Sequence, residues 1–166
     1  GLETSSASAH FVSRAGRRRK GYVKVSVAVL CGVLLPASVV IDWGPTNDKV
    51  EAKRLMERAA RHVKPDVLYA DAGYDAEWVH EHAQERWGVA TAIPPVKHKE
   101  QGPPGGFYRA QMTEAWLKRI GYGDRWQVES FFSGMKRTMG STLNARAEQA
   151  LFAEAALKVL TYAIRR

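Results

Sequence analysis

The chain is poor in cysteine: Cys31 is the single one among 166 residues, and it sits inside an apolar run. No disulfide framework and no cysteine-based zinc site can be built from it. A reducing, intracellular setting is the matching expectation. Acidic residues are also short, 17 Asp and Glu against 25 Lys and Arg, for a net charge of +8. An excess of that size serves polyanions more often than small neutral ligands. A hydrophobic stretch of membrane length is missing as well. The longest apolar run, Val23 to Ile41, is broken by Lys24, Ser26, Gly32, Pro36 and Ser38, which argues against a spanning helix. The opening "GLETSSASAH" lacks the basic start of a signal peptide. It also lacks an initial Met, so a piece of something longer is expected.

Two familiar site patterns are absent too. Gly102, Gly105 and Gly106 have neither the spacing nor the Lys-Ser/Thr ending of a phosphate loop. His80 and His82 share a helix with Glu77 and Glu81, but their spacing is not H-E-x-x-H. Histidines at i, i+2 point apart, so this reads as a solvated helix face. Trp78, Trp87, Trp116 and Trp126 read as core or interface residues.

What is present has a clear rhythm. Residues 1 to 16 read as loop, followed by the basic run Arg14, Arg17, Arg18, Arg19 and Lys20, by default a solvated face or edge. Val23, Val25, Val27 and Val29 alternate with Lys24, Ser26 and Ala28, and "LLPASVVIDW" returns after Gly32, which predicts a hairpin. "NDKVEAKRLMERAARHV" is an amphipathic helix, with Asp48 and Glu51 as a capping-box-like start. Then come the strand "DVLYAD", a helix capped by Asp75 and closed by Gly88, and the strand "VATAIPP". A Gly/Pro-rich loop, a short helix in "YRAQMTEAWLKRIG" and two longer helices complete the chain. The expected layout is one domain over 1–166. It has a loop and basic run at 1–22, a hairpin at 23–43, alternating helix and strand at 48–95, an insert at 97–123 and C-terminal helices at 124–166. The fold class is α/β, a mixed sheet flanked by helices.

Two acidic residues stand out. Asp71 closes "VLYAD", where sites of such sheets gather; an acidic residue there can simply cap or brace the turn, but with Asp75 assigned to the helix cap it has no evident structural duty. Glu129 lies on the helix from Asp124 to Gly140, whose apolar face is Val128, Phe131, Phe132, Met135 and Met139. Taking Arg125 as zero at roughly 100° per residue, Glu129 falls near ~40° and Lys136 near ~20°. The three form one polar stripe at the rim of the apolar face. A plain Arg–Glu pair at i, i+4 would account for two of them.

Together these residues make a resemblance. "YADAGYD" resembles the second-aspartate motif of DDE transposases from bacterial and archaeal insertion sequences. Tyr122-x2-Arg125-x3-Glu129-x6-Lys136 resembles the Y-R-E-K signature of insertion-sequence families four and five. "GPTND", "AIPP" and "FFSGMKRTMGS" fit beside them. The resemblance implies a ribonuclease H-like fold in which three carboxylates hold two divalent metals, Mg²⁺ or Mn²⁺. It implies that Asp71 and Glu129 are catalytic metal ligands, and that Tyr122, Arg125, Lys136 and Arg137 contact DNA. Arg146 and the Arg17–Lys20 run would extend the basic surface. The implied activity is hydrolysis at a transposon end, then attack on target DNA by the freed 3′-hydroxyl, with a hairpin intermediate as one route. A prokaryotic, cytoplasmic, nucleoid-associated protein follows, with DNA as partner and no membrane.

One departure qualifies this. The family's first Asp, commonly in D-S/T-x-G, would lie just before Gly1, and Glu3 is a poor stand-in. The expectations are therefore a first strand missing, an inactive fragment, and exposed strand edges that invite a homodimer. The alternatives are a degenerate remnant that only binds DNA, and another ribonuclease H-like nuclease acting on Holliday junctions or RNA–DNA hybrids.

Overall fold

The computed structural model describes residues 1–4, 22–96 and 105–166. The Arg14–Lys20 basic run and most of the Gly/Pro-rich loop lie outside them. In chain order the elements are β1 (Glu3–Thr4), β2 (Tyr22–Leu30), β3 (Leu35–Gly44), α1 (Asp48–Ala59), β4 (Val67–Tyr69), α2 (Glu77–Glu81), β5 (Ala90–Ala92), α3 (Glu114–Arg119), α4 (Trp126–Met139), β6 (Thr142–Leu143) and α5 (Glu148–Ile164). Short 3₁₀ turns occupy Ala72–Tyr74, Arg109–Gln111 and Tyr122–Arg125. The chain divides into two compact units, Gly1–Thr46 with Val128–Arg166, and Asn47–Gln127. The mixed α/β content, with small sheets flanked by helices, agrees with the ribonuclease H-like expectation.

In the first unit β2 and β3 form the predicted antiparallel hairpin. Period-2 alternation sends Val23, Val25 and Val27 to one buried face. Gly32 and Leu34 take positive φ in the turn. The register slips beside Val29, which faces Pro36; a proline has no N–H for the ladder, and a bulge absorbs that. Phe131 and Met135 of α4 and Leu151, Ala155, Val159 and Tyr162 of α5 pack with the hairpin valines into one core. At the α4–α5 contact, a Cβ on Gly134 would overlap the Tyr162 hydroxyl and fall 2.8 Å from its ring carbon Cζ. α4 ends at Gly140, at φ 76°, and Lys158 Nζ donates to the last helical carbonyl, Met139 O, at 2.5 Å.

The start of the chain departs from the expected loop. Leu2 is buried and exchanges two backbone hydrogen bonds with Val23, at 2.8 and 3.0 Å, and β1 pairs in parallel with β6. A single buried leucine and a few ladder bonds order this segment, too short a pattern to read by periodicity.

The second unit is built on β4 and β5, paired in parallel from Val67↔Ala90 to Tyr69↔Ala92. Its core joins Ala52 and Met56 of α1 with Val79, Ala83 and Ile93. Asn47, rather than Asp48 with Glu51, caps α1: its side chain accepts from Lys49 N at 3.1 Å. α2 widens into a π-helical stretch, His82–Trp87, before Gly88 stops it at φ 71°.

The histidine helix is not the solvated face the spacing suggested. His80 is fully buried, with Nδ1 2.8 Å from Thr91 Oγ1 and with no partner for Nε2 among the described residues. Glu77 accepts the backbone N–H groups of Tyr108 and Arg109 at 2.9 and 3.0 Å. Trp87 and Trp116 donate to buried-side carbonyls of Val63 and Thr91, as expected of packed tryptophans. Trp78 and Trp126 are exposed, at 38% and 56%, and so lie outside the core.

Candidate active site

Asp75 does not cap α2 as the sequence suggested. The N-cap of α2 is Ala76, which makes no side-chain cap. Asp75 is instead buried, bound through both oxygens to Arg109 (Nε at 2.6 Å, Nη2 at 2.7 Å), and it accepts Val96 N at 2.8 Å. Burial pushes the Asp75 carboxyl up, but the Arg109 and Val96 hydrogen bonds and the Arg109 charge outweigh it, leaving the group below the usual carboxylate range. Glu77 behaves alike: burial raises it, and the N–H groups of Tyr108, Arg109 and Phe107 bring it down.

Asp71 has a structural duty of its own. It is exposed, in extended backbone just past β4, and its Oδ1 accepts Gly73 N at 2.8 Å, capping the turn Ala72–Tyr74. The other oxygen, Oδ2, takes no hydrogen bond among the described residues. Gly73 has a second acidic neighbour. A Cβ there would lie 2.7 Å from Asp48 Oδ2 and 2.9 Å from Asp71 Oδ1. Two carboxylates therefore close on the one residue that offers them no side chain. Nothing in the spacing of 48 and 71 announced this; "GPTND" was only text that fitted.

The remaining site residues divide between the units. Tyr122 and Arg125, both half-buried, occupy the 3₁₀ turn of the second unit. α4 starts at Trp126, so Arg125 precedes the helix rather than riding on it. Glu129, Lys136 and Arg137 are exposed on α4 in the first unit, and the expected apolar face behind them holds, with Phe131 and Met135 fully buried. Within the second unit β4, which ends two residues before Asp71, is tied through Tyr69 to the segment that enters the Tyr122–Arg125 turn. The Tyr69 hydroxyl donates to Ile120 O at 2.9 Å, and a Cβ on Gly121 would lie 3.6 Å from that hydroxyl.

Asp71 and Glu129 each offer carboxylate oxygen, the donor a hard divalent cation prefers. Among the described residues, neither unit gathers three or more His, Cys, Asp or Glu side chains as a metal site. No helix among them is long and apolar enough to cross a membrane.

The sequence profile of one family, described as transposase DDE domain, matches residues 3–164. The chain belongs to that family. It is a transposase domain, whose function is transposition and whose partner is DNA, and domains of this family work with divalent metals. No curated protein and no solved structure matches the chain.

Proposed function

We propose that this is a transposase domain of insertion-sequence families four and five, whose chemistry is metal-dependent phosphodiester hydrolysis and strand transfer at insertion-sequence ends. In this reading Asp71 and Glu129 are metal ligands, for Mg²⁺ or Mn²⁺. The observation that supports it most is the Asp71 carboxylate, exposed just past β4, with one oxygen fixed by Gly73 and the other turned to no donor among the described residues. Asp71 and Glu129 would hold divalent ions, which when bound would supply activation of the attacking oxygen and stabilisation of the leaving one. The chain's own share is to hold those oxygens in place and to grip the phosphates on either side.

Tyr122, Arg125, Lys136 and Arg137 supply that grip. Arg125 and Arg137 suit phosphates through their planar fork, and Lys136 as a point charge. Phosphate contacts set affinity and register, without reading sequence. A cytoplasmic, nucleoid-associated setting goes with that partner. Homodimerisation completes the proposal. Leu157, Leu160 and Ile164, all more than half exposed along one side of α5, are the surface that supports it.

The test is cleavage and joining of labelled insertion-sequence end duplexes with Mg²⁺ or Mn²⁺, using the protein at the full length the cell makes beside Asp71→Asn and Glu129→Gln. Loss of both steps in each variant, with duplex binding retained, is the expected outcome. Salt-sensitive, metal-independent binding with no cleavage would leave a DNA-binding remnant instead. Preference for Holliday junctions or RNA–DNA hybrids would point to another nuclease of the same fold.

A further inference from the structure

Tyr69 lies two residues before Asp71, and the intervening Ala70 still donates to Ala92 O at 3.2 Å, continuing the β4–β5 ladder. Asp71 is itself extended, at φ −79° and ψ 174°. Side chains two apart in extended backbone project to the same face. Whatever Tyr69 grips is therefore carried to the side on which Asp71 presents its carboxylate.

Tyr69 grips the carbonyl of Ile120, 51 positions away, at 2.9 Å. That carbonyl ends α3, where the chain turns at Gly121, φ 80°, into Tyr122–Arg125. Asp124 N closes the turn on Gly121 O at 3.0 Å. A second anchor sits one helical turn back, where Trp116 Nε1 donates to Thr91 O of β5 at 3.1 Å. One bond comes from each strand of the parallel pair, and the Tyr69 bond is the one next to the turn.

We infer that Tyr69 is a positioning residue, whose hydroxyl holds the Tyr122–Arg125 turn on the Asp71 face so that Arg125 and an Asp71-bound metal meet the same phosphate. This rests on the proposed function for the roles of Asp71 and Arg125. The tether itself is a matter of two named atoms. Removing the hydroxyl leaves the ring, and with it the packing, in place. A positioning role and a bulk packing role therefore separate in Tyr69→Phe.

The experiment uses the intact chain in wild-type and Tyr69→Phe forms, read in two ways. Amide hydrogen exchange without metal reports on residues 120–125. About a tenfold rise there in the variant is expected, with the thermal midpoint close to wild type, since one net hydrogen bond restrains the turn. Peptide cleavage by Fe²⁺ with ascorbate and peroxide reports what lies near a bound metal. Wild type is expected to be cut at both 70–74 and 120–125, and the variant to keep the first and lose most of the second. Cutting at 70–74 in both proteins, with exchange at 120–125 unchanged, overturns the role of Tyr69 alone. No cutting at 70–74 in wild type overturns the metal reading of Asp71, and this role for Tyr69 with it.

Discussion

Arg109 holds both carboxylate oxygens of Asp75 from 34 positions away, through Nε at 2.6 Å and Nη2 at 2.7 Å. The pair fastens the segment after the Gly/Pro-rich loop to the start of α2, and Glu77 reinforces it by accepting Tyr108 N and Arg109 N. Asp75 is 2% exposed whereas the Arg109 side chain is 23% exposed. In Asp75→Ala the arginine can turn to water. The expected destabilisation is about 3 kcal/mol, the low end for breaking a buried pair, measured by urea unfolding. A loss below about 1 kcal/mol would contradict a structural role for the clamp.

Acid should weaken the same region in two stages. Burial holds the His80 ring below its ordinary value of 6.5, and the carboxylates of Asp75 and Glu77, which push it up, and the Arg109 charge, which pushes it down, do not reverse this. The unfolded chain therefore takes up the proton first as pH falls through about 6.5. The His80 contribution is whole above that pH and is lost on the way down to the folded-state value, at no more than about 1.4 kcal/mol per pH unit. Asp75 and Glu77 are depressed, so their contribution is whole above the ordinary carboxylate range and fails below it. His80→Phe should flatten the dependence of the urea midpoint just below about pH 6.5 and leave the acid limb below about pH 4 in place. An unaltered upper slope would remove His80 from the account.

Gly73→Ala should separate the candidate site from the fold. The glycine φ is not in the left-handed region, and what a new methyl meets are two carboxylate ends, Asp48 Oδ2 and Asp71 Oδ1, which can swing aside. Unfolding free energy is expected to shift by less than about 1 kcal/mol. Mn²⁺ affinity, followed by water-proton relaxation, is expected to fall about tenfold or more, because Asp71 loses its fixed orientation. Equal Mn²⁺ affinities would show that the turn does not set the carboxylate.

Gly134→Ala should do the opposite. A methyl there strikes the Tyr162 hydroxyl inside the first unit's core, where α4 and α5 are already in contact. Overpacking of this kind costs about 1–3 kcal/mol. Tyr162→Phe in the same chain removes the struck atom and should recover part of the loss, a coupling that a double-mutant cycle reads directly.

The parts of this fold that the sequence disclosed are those with a sustained period. The alternating valines of β2, the i, i+3, i+4 rhythm of α1 and the apolar face of α4 appear where the pattern put them. Polar assignments fared worse, because a side chain's partner depends on what the fold carries to it. Asp75 has the composition of a helix cap, yet Arg109 arrives from a distant segment and claims it. His80 looked solvated by spacing, yet β5 lays Thr91 against it. Asp71 and Gly73 were legible as a motif, while the approach of Asp48 and the reach of Tyr69 to Ile120 were not, since neither leaves a local mark. Residues 2 to 4 form too short a run for any periodicity to register.

The turn at Asp71 carries one more implication. Its carboxylate is oriented by a bond inside its own four residues, so its rotamer is settled when the chain folds. An arriving cation would find that oxygen already still, and binding there need not immobilise it. The entropy of ordering belongs to folding rather than to loading. The Asp71 side-chain rotamer, read from scalar couplings, should therefore be the same before and after a diamagnetic divalent ion is added, even as the ion is held.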